Sequence, residues 1–222
     1  MKTLIRELVP PAIWKGAKKF LLKSGIARPN RYEYGVEQPS HYYDKTFEDV
    51  QHWKKHYTQS HYYPLWTVIA DRLRSARIER VLDIGCGPGQ VACLIRDLGL
   101  TYTGIDFSEA RIEYARKVCP ELEFICADVF ENDVLEIRDY DCVVTMEFLE
   151  HVDKDLETID RIRTSSLVLA TVPNFASSGH VRYFKTMQEV DDRYRSHFAE
   201  LDVVSIAAND RGKTYFLLQG TR

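Results

Sequence analysis

The chain lacks paired cysteine motifs, long apolar runs and an overall excess of basic residues. These are the features of disulfide-rich, zinc-finger, membrane-spanning and nucleic-acid-binding proteins. Its five cysteines are odd in number and form no C-x-x-C pair, which argues against a disulfide framework or a zinc site and predicts buried thiols in a reducing cytoplasm. No apolar run reaches transmembrane length, and no secretory signal is evident. The net charge is −3, so the chain as a whole has no excess of basic residues with which to bind nucleic acid. A hydrophobic content of 45% without an internal repeat predicts one compact α/β core and a cytoplasmic protein.

The charge is unevenly distributed along the chain. Residues 1–31 contain eight basic side chains and one acidic one, so this segment has a net charge of +7 and the remainder −10. Between Pro11 and Gly25 the pattern predicts a helix with an apolar stripe beside its lysines. We interpret residues 1–24 either as an interfacial helix in peripheral contact with an anionic membrane or as a helix that packs on the core or on a second subunit. Residues 1–31 are therefore predicted to form a basic amphipathic N-terminal arm.

An aromatic-rich segment follows the arm. Ten Tyr, Phe and Trp residues and four histidines fall between residues 32 and 66, which favours a lid because aromatic faces hold a cation by cation–π contact and also bind sugars or rings. We predict a helical cap over residues 32–75, with Tyr57 and Tyr62 in contact with cofactor or substrate. Ordinary helix packing is the alternative for both tyrosines.

A glycine-rich motif, VLDIGCGPG at residues 81–89, is the most informative feature of the chain. An apolar strand-like run leads into three alternate glycines, where bare backbone approaches a ligand closely. The spacing G-x-G-x-G differs from the dinucleotide fingerprint G-x-G-x-x-G, and a helix is predicted over residues 90–98. The motif resembles motif I of the class I S-adenosylmethionine-dependent methyltransferases. This resemblance implies that S-adenosylmethionine is bound by Asp83, Gly85, Cys86, Gly87 and Gly89.

Two further strand-like runs end in acidic residues. Residues 101–107 (TYTGIDF) bring Asp106 to the carboxyl end of a second strand, where a carboxylate accepts hydrogen bonds from ribose hydroxyls. Ser108 is the better helix cap and leaves Asp106 free for that role. Residues 122–127 end at Asp128, which the resemblance places near the adenine amino group. Phe107 and Val129, which follow the two acids, are also predicted to contact the cofactor.

A fourth predicted strand, residues 141–145, leads to an E-x-x-E-H pattern. Met146 is expected at the methionine half of the cofactor. Glu147, Glu150 and His151 share one face if the segment is helical. The pattern resembles that of ubiquinone-pathway O-methyltransferases and small-RNA 2′-O-methyltransferases, and this resemblance implies that the three side chains bind a divalent metal. The alternative is catalysis without a metal, in which His151 is the general base and Glu147 or Glu150 is its partner.

The remaining sequence predicts the end of an α/β sheet. Residues 166–172 form a fifth strand, and the loop over residues 175–184 supplies three candidate substrate-binding residues, His180, Arg182 and Tyr183. A helix is predicted over residues 186–198, and residues 203–208 and 214–219 form an antiparallel hairpin. The expected fold is α/β: a Rossmann-like, doubly wound, seven-stranded sheet with one antiparallel edge strand, formed by residues 76–222, plus an N-terminal helical extension.

These features predict an enzyme that transfers a methyl group from S-adenosylmethionine to an oxygen, in preference to a nitrogen, of a small-molecule or glycan-type acceptor. In-line alignment of the nucleophile and removal of its proton are the main catalytic requirements. An RNA 2′-O-methyltransferase would share the E-x-x-E-H pattern, but the first 31 residues are the only basic stretch and no nucleic-acid partner is expected. A non-catalytic S-adenosylmethionine-binding partner subunit is the third alternative.

Overall fold

A computed structural model of the protein describes residues 34–208 and 212–222. The predicted basic arm, residues 1–31, lies outside the described residues, so its contact with a membrane, the core or a second subunit stays a prediction. Within the described ranges, no helix is both long enough and apolar enough to cross a membrane.

The centre of the fold is a seven-stranded mixed sheet with the order β3-β2-β1-β4-β5-β7-β6. The strands are β1 (Arg80–Ile84), β2 (Thr101–Asp106), β3 (Glu123–Cys126), β4 (Cys142–Thr145), β5 (Leu167–Pro173), β6 (Glu200–Ala207) and β7 (Thr214–Thr221). The first five strands are parallel, whereas β7 is antiparallel to both β5 and β6. The predicted Rossmann-like sheet and its terminal hairpin are therefore confirmed, and the reversed strand lies one place in from the edge strand β6.

The α-helices of the described residues cover both faces of the sheet. They are α1 (Ser40–Asp49), α2 (Tyr63–Ser75), α3 (Gln90–Asp97), α4 (Glu109–Val118), α5 (Val134–Ile137), α6 (Asp155–Arg161) and α7 (Met187–Tyr194). The Ser108 hydroxyl accepts the Arg111 N–H and caps α4, as the sequence predicted. The predicted helix over residues 186–198 is shorter than expected, because α7 gives way to a 3-10 turn over Arg195–His197.

The side chains of the strands point alternately to the two faces of the sheet, and each face is covered by a layer of helices. In β1, Val81 packs with the layer of α2, α3 and α4, whereas Leu82 and Ile84 pack with the layer of α5, α6 and α7. Successive side chains of a strand point to opposite faces, so a buried parallel strand must be apolar on both sides. The helix α2 is part of this core, because its Leu65, Trp66, Ile69 and Leu73 are buried. The predicted boundary between lid and core at residue 75 stays a prediction.

The strand order creates one crevice at the carboxyl ends of the parallel strands. From β1 the chain continues outward to β2 and β3, and then returns to place β4 on the other side of β1. In open α/β sheets, ligands bind at such a reversal of strand order. The glycine motif follows β1 and the E-x-x-E-H segment follows β4, so the topology brings both motifs to this crevice.

Candidate functional site: a two-part crevice at the strand ends

The glycine loop leaves backbone exposed to the crevice at one position in particular. Gly85, Gly87 and Gly89 all have positive φ, a conformation that glycine adopts without steric cost. A Cβ at Gly85 would lie 2.7 Å from Cδ2 of Phe148, so that glycine permits close packing of the loop. A Cβ at Gly87 would meet nothing within 4 Å. Gly87 therefore presents bare backbone to open space, as a ligand-binding loop requires.

Asp106 ties the glycine loop to the end of β2. One carboxylate oxygen accepts the Gly87 N–H at 2.9 Å, and the other accepts the Ser108 N–H at 2.8 Å. Burial raises the pKa of Asp106, and the nearby Arg111 guanidinium opposes that rise. The sequence left this carboxylate free, whereas the structure gives it a local role. Each oxygen has a second lone pair, so the acid remains competent to accept a ribose hydroxyl.

Asp83 is held below the loop rather than exposed in it. The Tyr102 hydroxyl donates to its carboxylate at 2.7 Å, and the side chain is 1% exposed. Burial raises the pKa of Asp83 to about 7, while the Tyr102 hydrogen bond opposes the rise. Cys86 lies beside it and is also buried. Both residues border the larger of the two cavities described next.

A narrow cavity lies over the ends of β1, β2 and β3. It is lined by five of the predicted cofactor residues, Gly85, Asp106, Phe107, Asp128 and Val129. The Asp128 carboxylate also accepts the Phe130 N–H at 2.9 Å. Several lining residues were missed by the sequence reasoning: Glu37, Gln38, Tyr43 and Arg111. Glu37, Gln38 and Tyr43 come from a distant segment that carries no motif, whereas Arg111 lies in the first turn of α4, close to Asp106 in the sequence.

A wider cavity of about 470 Å³ adjoins the glycine loop on the other side. The predicted residues Gly87, Met146 and Tyr62 line it, together with aromatic side chains that the sequence reasoning did not single out at the site, Trp53, Trp66, Phe175 and Tyr215. Tyr62 packs against Trp66 and Tyr215, with ring centroids 5.7 and 5.5 Å apart. An aromatic wall of this kind suits a ring-shaped or sugar-like molecule.

The E-x-x-E-H segment is a turn, so the helical case that the sequence analysis considered does not apply. Its residues follow β4 directly, and the His151 N–H donates to the Phe148 carbonyl at 2.8 Å. Glu147 has a φ of +55°, which interrupts a regular helix at this position. The three side chains nevertheless converge, because the turn brings Glu147 and His151 to the border of both cavities.

His151 is fixed in one tautomer. Its Nδ1 lies 2.9 Å from the Gly179 carbonyl, and since a carbonyl only accepts, Nδ1 carries the proton and Nε2 has a free lone pair. Nε2 lies 3.9 Å from Oε1 of Glu150. Desolvation lowers the pKa of His151 to about 3, and the neighbouring His180 adds to this effect. The imidazole is thus neutral near pH 7 and available as a base or as a ligand.

Glu150 and His180 are buried with unsatisfied polar atoms. Both carboxylate oxygens of Glu150 and Nδ1 of His180 have no hydrogen-bond partner within the described part of the chain. Burial raises the pKa of Glu150, with a further contribution from the Glu147 carboxylate. Burial also lowers the pKa of His180 to about 4. Buried polar atoms are nearly always paired, so an orphaned group calls for a ligand or ion that completes it.

These orphaned atoms belong to one cluster. Glu150, His151 and His180 each offer a ligand atom within 4.8 Å of the others. The sequence predicted Glu147 as the third member of this cluster, but the third member is His180. The carboxyl of Glu147 lies beside the cluster. The loop after β5 is attached to the turn through the Val181 N–H, which donates to the Glu150 carbonyl at 2.7 Å. His197, the other downstream histidine, pairs with Asp160 at 2.7 Å instead.

Three predicted site residues lie elsewhere. The Tyr57 hydroxyl donates to Asp97 at 2.8 Å, and this tyrosine borders neither cavity. Tyr183 packs edge-on against Tyr34, with centroids 5.7 Å apart. These placements contradict the assignment of Tyr57 to the cofactor site and of Tyr183 to the substrate site.

Arg182 also turns away from the cavities. Its guanidinium donates to the carbonyls of Leu149, Val152 and Asp153 and lies 3.4 Å from the Asp155 carboxylate. A guanidinium with its donors committed to backbone carbonyls stabilises the turn and is not available for a substrate anion.

The cysteines follow the prediction with one exception. Cys86, Cys93, Cys119 and Cys142 are buried free thiols, whereas Cys126, at the end of β3, is exposed. A strand end at the sheet edge has fewer neighbours to cover it, which explains this exception.

Residues 81–165 match a family model described as a methyltransferase domain. The ubiquinone biosynthesis O-methyltransferase of Vibrio parahaemolyticus is 34% identical over 85 residues, which cover 36% of this chain and 36% of that protein. The matches thus span about a third of the length of such curated relatives.

Two solved structures share the fold. Magnesium protoporphyrin IX methyltransferase from Synechocystis, solved with bound S-adenosylhomocysteine, has a TM-score of 0.60 at 14% identity, covering 82% of this chain and 97% of that one. The methyltransferase domain of bacterial CtHen1 has a TM-score of 0.59 at 18% identity, covering 72% and 98%.

The strand order and the glycine loop agree with the match of residues 81–165 to a methyltransferase domain. The matches support the class I, S-adenosylmethionine-dependent type that the glycine motif indicated.

Proposed function

We propose that this protein transfers a methyl group from S-adenosylmethionine to an oxygen of a small-molecule or glycan-type acceptor, assisted by a divalent metal. The observation that carries the proposal is the cluster of Glu150, His151 and His180, whose ligand atoms lie within 4.8 Å of one another. His151 and His180 of this cluster border the wide cavity. The likeness to ubiquinone O-methyltransferases supports oxygen as the accepting atom.

The narrow cavity and the glycine loop form the donor half of the site. Asp106 and Asp128 would hold polar groups of the nucleoside, while Phe107 and Val129 supply apolar contacts. Gly87 would place its backbone against the amino-acid portion, and Met146 borders the same region of the wide cavity. S-adenosylmethionine supplies a methyl group already activated by its sulfonium, so the chain's residues have mainly to align the acceptor.

The donor atoms of the cluster suit a divalent cation. One carboxylate and two neutral imidazoles are ligands that Mn²⁺ and Zn²⁺ accept, and a second carboxylate, Glu147, lies alongside. The Nδ1–H bond from His151 to Gly179 directs the Nε2 lone pair at the cluster, as an outer hydrogen bond does for a metal-binding histidine. When bound, such an ion supplies Lewis-acid chemistry that lowers the pKa of an acceptor hydroxyl.

The wide cavity is the acceptor half. Tyr62, Trp66 and Tyr215 form an aromatic wall facing the region of Glu147 and His151. An acceptor seated against this wall has its hydroxyl beside a neutral imidazole. In the alternative without an ion, the Nε2 lone pair of His151 would accept the hydroxyl proton instead.

The test is methyl transfer from isotopically labelled S-adenosylmethionine to a panel of phenols, sugars, glycans and RNA, with and without a chelator. We expect transfer to a phenol or sugar hydroxyl that falls in chelator and returns with Mn²⁺ or Mg²⁺. Activity that survives chelation but is lost in His151→Ala would assign His151 as a metal-free base. Transfer to RNA, or binding of the cofactor without any turnover, would overturn the proposed acceptor or the enzymatic role.

A further inference from the structure

Glu147 adopts a backbone conformation that requires support. Its φ of +55° lies in the left-handed region, which is unfavourable for a residue with a Cβ. Such conformations persist where the surroundings hold them, and they concentrate at functional sites. Glu147 borders both cavities, so the conformation of this one residue affects the whole crevice.

One hydroxyl group supplies that support. The Glu147 N–H donates to Oγ1 of Thr171 at 3.0 Å, and the same hydroxyl donates to the Glu147 carboxylate at 3.4 Å. Thr171 is fully buried in β5, a strand whose position is set by pairing with β4 and β7. Thr171 of the sheet therefore holds both the main chain and the side chain of Glu147, while Tyr62 and Glu150 also form hydrogen bonds with its carboxyl.

We propose that Thr171 is a positioning residue, whose hydroxyl holds Glu147 in its left-handed conformation with the carboxyl beside the Glu150–His151–His180 cluster. The contribution of this arrangement to cation affinity rests on the proposed function, because it requires the cluster to bind a metal. The hydroxyl supplies both an acceptor and a donor, a combination that valine lacks and serine retains.

The chain offers a matched control for the removal of this hydroxyl. Thr145, in the neighbouring strand β4, is also fully buried, and its Oγ1 has no hydrogen-bond partner within the described ranges. Thr145→Val therefore makes the same chemical change in the same sheet without removing a hydrogen bond. Thr171→Ser keeps the hydroxyl and loses one methyl group.

The first measurement is Mn²⁺ binding to the purified metal-free protein by calorimetry. We expect Thr171→Val to weaken Mn²⁺ binding about 10-fold or more, as loss of an outer hydrogen bond does at other metal sites. Thr171→Ser should restore most of the affinity, and Thr145→Val should leave it unchanged. Affinity for S-adenosylmethionine should stay the same in Thr171→Ser and Thr145→Val, because neither change removes the support of Glu147.

The second measurement does not depend on a metal. Urea denaturation of the metal-free protein is compared for Thr171→Val, Glu147→Gly and the double variant. Glycine accepts a positive φ and has no carboxylate to hold, so we expect Thr171→Val to lower the urea midpoint less in the Glu147→Gly background than in the original protein. Equal shifts in the two backgrounds would overturn the inference.

The two measurements separate the two proposals. Absence of Mn²⁺ binding by the original protein would reject the metal of the proposed function, and the denaturation comparison would then decide alone whether Thr171 holds Glu147. Mn²⁺ binding that is unchanged in Thr171→Val would reject the positioning role while the metal stands.

Discussion

The two halves of the crevice differ in how their polar groups are satisfied. At the ends of β1–β3, Asp106 accepts two backbone N–H groups and Asp83 accepts the Tyr102 hydroxyl. At the turn after β4, Glu150 and His180 are buried with unpartnered atoms. In the first half, the protein's own groups satisfy the hydrogen bonds of the carboxylates. In the second half, the unpaired buried polar atoms lower the free energy of unfolding, and a bound ligand would remove that penalty. The difference is the reason for which we place the proposed chemistry in the second half.

The strongest test of this contrast is Glu150→Met. We expect methyl transfer to fall by about 100-fold or more, as for loss of a catalytic acid–base or ligand group, while the stability of the metal-free protein is unchanged or increased because an unpaired buried carboxyl is removed. Activity assays and urea denaturation on the same preparations measure both effects. Full activity together with a large loss of stability would show that Glu150 is an ordinary core residue.

The first half of the crevice responds differently to the loss of a carboxylate. We expect Asp106→Ala to weaken S-adenosylmethionine binding by about 2 kcal/mol or more, because a charge-assisted acceptor is lost. Unlike Glu150→Met, it should also lower the stability of the unliganded protein, since the Gly87 and Ser108 N–H groups lose their partner. Calorimetry and thermal unfolding measure the two effects, and an unchanged affinity in a folded variant would remove Asp106 from the binding site.

A smaller effect concerns Asp83 and pH. Its pKa is raised by burial from 3.8 to about 7, so the folded protein retains a proton that the unfolded chain has already released. The stability associated with this proton is fully present below pH 3.8 and is lost as the pH rises toward 7.

Asp83→Asn removes this titration while retaining an acceptor for Tyr102. The unfolding free energy of the variant relative to the original protein should therefore increase by about 1 kcal/mol between pH 6 and pH 7. Urea denaturation at several pH values measures it. A constant difference across that range would mean that Asp83 ionises normally.

The parts of the site predicted from the sequence are those that lie in continuous segments. The glycine loop, Asp106 and Asp128 each end a strand, so a strand-by-strand reading placed them at one edge of the sheet. The E-x-x-E-H pattern predicted that its side chains converge, but it did not predict the backbone conformation of the segment. Spacing alone does not distinguish a helix from a turn, and here Thr171 accepts the Glu147 N–H. Arg182 was misjudged since nothing local shows that its donors meet the carbonyls of a neighbouring loop.

By itself, the sequence determined the class of fold, and it predicted that the glycine loop and the E-x-x-E-H segment meet at one edge of the sheet, because strand patterns, glycine spacing and an acid at a strand end are local properties. Only the tertiary structure decided that His180 joins Glu150 and His151 and that Gln38 and Arg111 border the donor cavity. Only it decided that Thr171 supports Glu147. Those contacts join segments far apart in the chain, and their geometry depends on how the strands pair and how the loops pack over the sheet edge.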